Sequence, residues 1–290
     1  MTLASLPLLA RSLPSFAASD SGMFVCMHEI TSISFDFRTA MEGYARAGIR
    51  AVEPDLGKVR EFGQQESPRM ARQLLDDLGL KAVSCSNQLF LEESGPRRAA
   101  ALEDLKWKVE LAEVIGADRM VVPSAASEPH TIDDYQQVIA NLREAADIAQ
   151  PHQVTLMVEH TRLSTLINNL RTALMVVRKA DHPNLKVMLD TFHFWSGMSK
   201  FEDLELLRDG ELHHLHFEDI PADPPLEMFG QQSRVFPGEG IAPLRRIIEV
   251  LQRKGYRGPA SLELFNPVVQ ATDPYTVAMQ ARKTIEPLIV

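Results

Sequence analysis

Four apolar runs in the C-terminal half of the chain each end on a side chain able to hold a metal ion or move a proton. Thr155–Val158 runs into Glu159, Leu185–Leu189 into Asp190, His214–Leu215 into His216, and Ala260–Leu262 into Glu263. Each charge therefore sits beside residues that belong in a core. A buried carboxylate is costly unless it is paired or bound to a metal. Three carboxylates meeting at one point repel one another until at least one takes up a proton, and a divalent cation removes that conflict. Three carboxylates with one imidazole form a hard, oxygen-rich set that suits Mn²⁺ or Mg²⁺ and tolerates Co²⁺ or Zn²⁺. Four independent salt bridges are the bland alternative. At the ends of four successive strands, one shared centre is the better expectation.

Further residues fall near the same ends. His193 lies three residues after Asp190, beside Phe194 and Trp195, where it could bond a substrate hydroxyl or simply pack on Trp195. Arg234 lies in the long segment Ser233–Gly240, which could cover a site and place a cation against an anionic intermediate. Glu218 follows His216 closely and could hold a hydroxyl or offset charge. Glu29 closes the first strand and could touch substrate. Period-two alternation puts His214 on the face of His216, one layer lower, and turns His213 toward the helices.

The elements that must position these groups repeat one theme. Strands are expected at Phe24–Glu29, Ile49–Glu53, Lys81–Asn87, Arg119–Pro123, Val154–His160, Leu185–Asp190, Leu212–Phe217 and Pro259–Phe265. Helical patterns lie between them: Leu102, Leu105, Val109 and Ala112 share one helix face, as do Leu244, Ile247, Ile248 and Leu251. Gly48, Gly79, Gly116 and Gly255 each follow a helical run, where glycine accepts the left-handed cap conformation. Strands alternating with helices imply a parallel sheet. Eight such units imply an α/β protein of the (β/α)8 TIM barrel class, whose sites are built at the C-terminal strand ends. Met27–Thr31 holds no glycine, which argues against a dinucleotide-binding turn or a phosphate loop after the first strand.

The 290 residues, 45% hydrophobic and 24% charged, suit one globular barrel over residues 23–290 with an N-terminal extension over residues 1–22. That extension is apolar and ends in Phe16-Ala17-Ala18-Ser19, but it has no basic start and is interrupted by Pro7, Arg11 and Pro14, so export is not expected. No apolar run reaches membrane-spanning length. A net charge of −9 excludes binding driven by nucleic-acid phosphates. Two cysteines, Cys26 and Cys85, make no disulfide framework and fit a reducing, cytoplasmic setting.

Leu189-Asp190-Thr191-Phe192-His193-Phe194, His216-Phe217-Glu218-Asp219, Arg234–Gly240 and Ser261–Pro267 together resemble the xylose-isomerase-like sugar isomerase/epimerase superfamily, and within it the inosose (2-keto-myo-inositol) isomerases. His28–Ser32 and Ser86-Asn87 look alike as well, and the resemblance runs from about Phe24 to the C-terminus. It implies one divalent metal held by Glu159, Asp190, His216 and Glu263. It also implies that Glu159 and Glu263 form the proton-transfer pair, and that Asn87 joins His193, Arg234, Glu218 and Glu29 around the substrate. One departure is His160-Thr161-Arg162-Leu163 after Glu159, where the family carries a different loop.

The expected activity is metal-dependent isomerisation or epimerisation of a polyol ketone or ketose through an enediolate, with inosose the leading substrate. A dehydratase acting on inosose or dehydroshikimate begins with the same enolisation. A sugar-binding barrel without catalysis is the alternative of another class. An apurinic endonuclease, which needs several metals and a basic DNA-facing surface, fits poorly. Barrels of this type associate through helices or long loops, so a homo-oligomer is compatible with the sequence.

Overall fold

A computed structural model describes residues 22–290. The extension expected over residues 1–22 lies, except for Gly22, outside the described residues. Nine strands run parallel: β1 Phe24–His28, β2 Ala51–Glu53, β3 Lys81–Ala82, β4 Cys85–Ser86, β5 Arg119–Pro123, β6 Thr155–Glu159, β7 Leu185–Asp190, β8 Leu212–His216 and β9 Pro259–Leu262. Around them lie α1 Phe37–Arg46, α2 Leu56–Gln65, α3 Pro68–Leu78, α4 Gly95–Ile115, α5 Ile132–Ala149, α6 Leu170–Ala180, α7 Thr191–Ser196, α8 Leu244–Arg253, α9 Pro267–Gln270 and α10 Pro274–Ile289.

The strand order β3-β2-β1-β9-β8-β7-β6-β5-β4 is that of a TIM barrel opened at one point. The third expected strand, Lys81–Asn87, is two short ones. β3 pairs with β2, and after Val83-Ser84 the chain crosses so that β4 pairs with β5. The ring therefore closes through the chain itself: Val83 N–H donates to Val52 O and Asn87 N–H to Val121 O. The first and last strands join in parallel, Phe24 opposite Pro259 through Met27 opposite Leu262.

Helix ends follow local chemistry. Asp36, Asp55, Ser67, Asn169 and Asp273 each accept a backbone N–H at a helix start, satisfying a donor the helix leaves open. Gly79 and Gly116 close α3 and α4 in the left-handed conformation. The main core lies between the strands and the helix ring, where Leu105, Val109 and Ala112 of α4 and Leu244, Ile247, Ile248 and Leu251 of α8 are buried as their periodicity implies. No helix among the described residues is long and apolar enough to cross a membrane.

Inside the barrel the filling is small and layered. Cys26, Ala51 and Val83 make one apolar cluster, and Val121, Met157 and Met188 another. Two residues further along each strand the interior turns polar. Glu159 follows Met157, Asp190 follows Met188, His216 follows His214 and Glu263 follows Ser261. The period-two alternation of strands carries all four to one rim.

Candidate metal centre at the barrel rim

His216 is the hub. Its Nδ1 lies 3.3 Å from Glu263 Oε2, 3.8 Å from Glu159 Oε1 and 3.8 Å from Asp190 Oδ2. All four side chains are buried or nearly so. Adjacent registers place them: Asp190 stands opposite His216, and His216 opposite Ser261. The structure thus brings together the four groups that the strand ends had pointed to. Glu159, Asp190 and His216 offer ligand atoms within 4.8 Å of one another, and so do His28, His216 and Glu263.

Arg234 enters this cluster from the long segment after β8. Asp219 and Val235 exchange both backbone hydrogen bonds in an antiparallel bridge that anchors the segment. The Asp219 carboxylate accepts the N–H groups of Gly238, Gly240 and Ala242 at 3.0, 3.1 and 2.9 Å. A Cβ on Gly240 would strike Ile220 O and Asp219 Oδ1, so this turn requires glycine. The Arg234 side chain, thus aimed inward, is fully buried. It donates from Nη2 to Asp190 Oδ2 at 2.7 Å, and its Nη1 lies 3.2 Å from Glu263 Oε2. Its guanidinium is sandwiched between the rings of Phe192 and Phe265 at 4.9 and 4.7 Å.

His193 and Glu218 flank Arg234. His193 Nε2 lies 3.2 Å from Arg234 Nη2, while its Nδ1 faces Arg162 N–H at 3.2 Å. Burial lowers this ring to about 4, so it is neutral and can accept from only one of those donors. Its edge-to-face partner is Phe192, not the Trp195 of the bland alternative. Glu218 Oε1 accepts Phe192 N–H at 3.1 Å and its Oε2 has no hydrogen-bond partner. Burial, with Asp190 alongside, holds Glu218 well above the usual carboxylate range.

The two remaining substrate-site expectations, Glu29 and Asn87, are not brought to the cluster. Alternation is the reason. His28 and Ser86 point inward, so the residues after them point outward. Glu29 opens a short 3-10 turn and accepts Asp55 N–H at 2.8 Å. Asn87 accepts from Lys108 Nζ of α4 at 2.6 Å.

Two inward groups that sequence reasoning passed over lie beside the cluster instead. His28 accepts Ile30 N–H on Nδ1, which leaves Nε2 to carry the proton, 3.6 Å from Glu263 Oε1 and 3.7 Å from Glu53 Oε1. Glu53, the last residue of β2, is fully buried and faces Nε2 of both His214 and His216, at 2.8 and 3.2 Å. The same alternation that places His214 below His216 would have found both.

Residues 42–286 match the family described as xylose isomerase-like TIM barrel. The chain belongs to that family. Among its relatives, the inosose isomerase of Halalkalibacterium halodurans is 29% identical over 233 residues, 78% of this chain and 79% of that one. The 3-dehydroshikimate dehydratase of Pseudomonas putida is 29% identical over 242 residues, 81% of this chain but only 37% of that protein, so the chain spans little more than a third of the dehydratase's length. The solved structure of the IolI protein with a bound zinc atom superposes with a TM-score of 0.85 at 21% identity, covering 91% of this chain and 97% of that one.

In this xylose isomerase-like barrel the four rim residues fit a divalent ion. His216 Nδ1 is buried without a hydrogen-bond partner. Of its separations from three carboxylate oxygens, the 3.3 Å to Glu263 falls within the ~3–3.5 Å between donor atoms that share an ion at ~2.1 Å, and the 3.8 Å to Glu159 and to Asp190 lie a few tenths of an ångström beyond it. The electrostatics agree. Although burial alone would lower it, the Glu263 and Glu53 carboxylates hold the His216 ring well above its ordinary value. Burial raises Glu159 to about 7, with Asp190 and Glu263 adding repulsion. Against the same burial, His216 and Arg234 bring Glu263 down to about 2. The carboxylates that favour a positive charge on His216 would favour a cation in the same place.

Proposed function

We propose that this chain is a metal-dependent isomerase or epimerase of polyol ketones, with inosose the leading substrate. The observation that carries the reading is the convergence of Glu159, Asp190 and Glu263 on the unpartnered Nδ1 of His216. The similarity to inosose isomerases over most of both chains supports the substrate class. Glu159, Asp190, His216 and Glu263 would hold the ion. Mn²⁺ suits the oxygen-rich set, and Zn²⁺ is the metal named for the similar IolI structure. When bound, such an ion polarises a carbonyl oxygen as a Lewis acid.

The side chains supply the rest. Glu159 and Glu263 divide the acid and base roles. Glu263, held ionised, takes the proton from the carbinol carbon next to the carbonyl. Glu159 then returns one to the neighbouring carbon. The hydroxyl proton passes between the two oxygens, so the carbonyl moves one position and no atom is gained or lost. Return to the original carbon from the opposite face gives an epimer instead. Arg234 sits where negative charge would develop, with Glu218 and His193 steadying it from behind.

Dehydration is the second reading, favoured by the dehydroshikimate dehydratase relatives. It shares the proton abstraction and differs in the loss of a β-hydroxyl. Proton NMR of scyllo-inosose and a ketose panel in D₂O, with Mn²⁺-loaded protein removed before acquisition, separates the outcomes. Deuterium beside the carbonyl with a new isomer is expected. An ultraviolet-absorbing product moves the assignment to the dehydratase. No exchange with any polyol ketone refutes catalysis by enolisation. Glu159→Gln and Glu263→Gln should each lose ~10²–10⁴-fold in exchange rate.

A further inference from the structure

We infer that Glu53 is a positioning residue for His216: it accepts the Nε2 proton, so that Nδ1 is left as the electron-pair donor facing Glu159, Asp190 and Glu263. The inference rests on the reading of those four residues as an ion site.

Glu53 lies on the far side of the His216 ring from the would-be ion. Its Oε2 is 3.2 Å from His216 Nε2, 2.8 Å from His214 Nε2 and 3.2 Å from Ser261 Oγ. Its Oε1 is 3.4 Å from Ser86 Oγ. Side chains from β2, β4, β8 and β9 thus meet on one fully buried carboxylate. An ionised carboxylate only accepts hydrogen bonds. The Nδ1–H form of neutral His216 would therefore set its Nε2 lone pair against Glu53 Oε2 and aim its proton at the ligand face. The Nε2–H form makes a hydrogen bond and bares Nδ1. His214 and His216 pack edge-to-face at 5.2 Å, so the Glu53–His214 contact also props the His216 ring. A carboxylate that accepts the other ring N–H of a ligating histidine fixes that ring's orientation and tautomer.

Glu53→Gln keeps the volume but presents an N–H₂ group that stabilises the opposite tautomer when it turns toward His216. The expected result is Zn²⁺ affinity weakened ~10–100-fold, read by competition with a chromophoric chelator. In ¹⁵N-histidine NMR of the Zn²⁺-loaded chain, the wild type should show one ring metallated at Nδ1 and protonated at Nε2, a signature displaced in the variant. Glu53→Asp keeps the charge but withdraws the reach by one methylene. It should change both readouts in the same direction, and it serves if the amide variant does not fold. Wild-type Zn²⁺ affinity together with an unshifted His216 signature in a folded Glu53 variant overturns the role of Glu53 alone. A wild-type chain that binds no Zn²⁺, or binds it unaltered as His216→Ala, overturns the ion site and this inference with it.

Discussion

Arg234→Met tests whether the rim is a pool of buried negative charge that a cation must neutralise. Asp190, Glu218 and Glu263 all lie within 4 Å of the guanidinium, at 2.7, 3.7 and 3.2 Å. Methionine keeps apolar contact with Phe192 and Phe265 and removes only the charge and its donors. Stripping one partner from a buried ion pair costs ~3–5 kcal/mol. At ~2 °C per kcal/mol for a chain of this size, the melting temperature should fall by roughly 6–10 °C. The assay is thermal unfolding followed by circular dichroism in EDTA, repeated in excess Mn²⁺. With the cation present the drop should shrink, because the ion takes over part of the neutralisation and stabilises the fold by mass action. Arg234→Lys should fall between, since one ammonium cannot span Asp190 and Glu263 as a planar fork does. A melt in EDTA within ~2 °C of wild type would refute the reasoning, for it would mean that Asp190 and Glu263 are not both ionised against Arg234.

Three further outcomes follow from the geometry. Asp219→Ala leaves the N–H groups of Gly238, Gly240 and Ala242 without their acceptor; it should cost roughly 3 kcal/mol in denaturant midpoint analysis and lower turnover as Arg234 loses its seat, and an unchanged midpoint counts against it. His213 is lowered to about 4 by burial with Arg119 and Lys186 beside it, against an ordinary value of 6.5. The unfolded chain therefore takes up the proton first. Stability is whole above about pH 6.5 and is lost toward pH 4, and His213→Gln should remove up to one proton from that acid slope; coincident slopes would discard the assignment. Arg162 donates to Phe229 O and Leu226 O at 3.0 and 2.8 Å, tying the loop after β6 to the loop after β8. Arg162→Met should speed chymotryptic cleavage near Phe229 and raise KM, whereas equal cleavage rates would show that the tether is idle.

Much of this barrel was legible because one periodicity governs it. The same alternation that buries Met157 and Met188 points Glu159 and Asp190 inward, so apolar runs ending in charge were enough to pick out the rim. The misplacements come from where the period was not applied. Glu29 and Asn87 sit at strand ends like the rim groups, but one residue out of phase, and they turn toward the outer shell. His28 and Glu53 are in phase yet belong to the first two strands, where the expected β2 began at Ile49 and its last residue drew no notice. The break after Ala82 was not legible either. Lys81–Asn87 reads as one β-prone run, and only the need to bond β2 on one side and β5 on the other splits it. Arg234 was read as a cation set against an anionic intermediate by a covering segment, without its ion pairs to the rim carboxylates. Its burial depends on the Asp219–Val235 bridge, a long-range pairing with no signature in local spacing.

That break has a mechanical meaning. β3 and β4 stand at the two ends of the strand order and do not pair with each other, whereas every other pair of neighbouring strands is bonded over two to five positions. The hoop therefore has a soft joint on the side away from the strands that end in Glu159, Asp190, His216 and Glu263. Thermal breathing is concentrated where local opening is cheapest, so the ring can widen at residues 82–85 while the spacing of the rim groups stays fixed. The mouth gains compliance there, and the spacing of the four rim groups is left undisturbed.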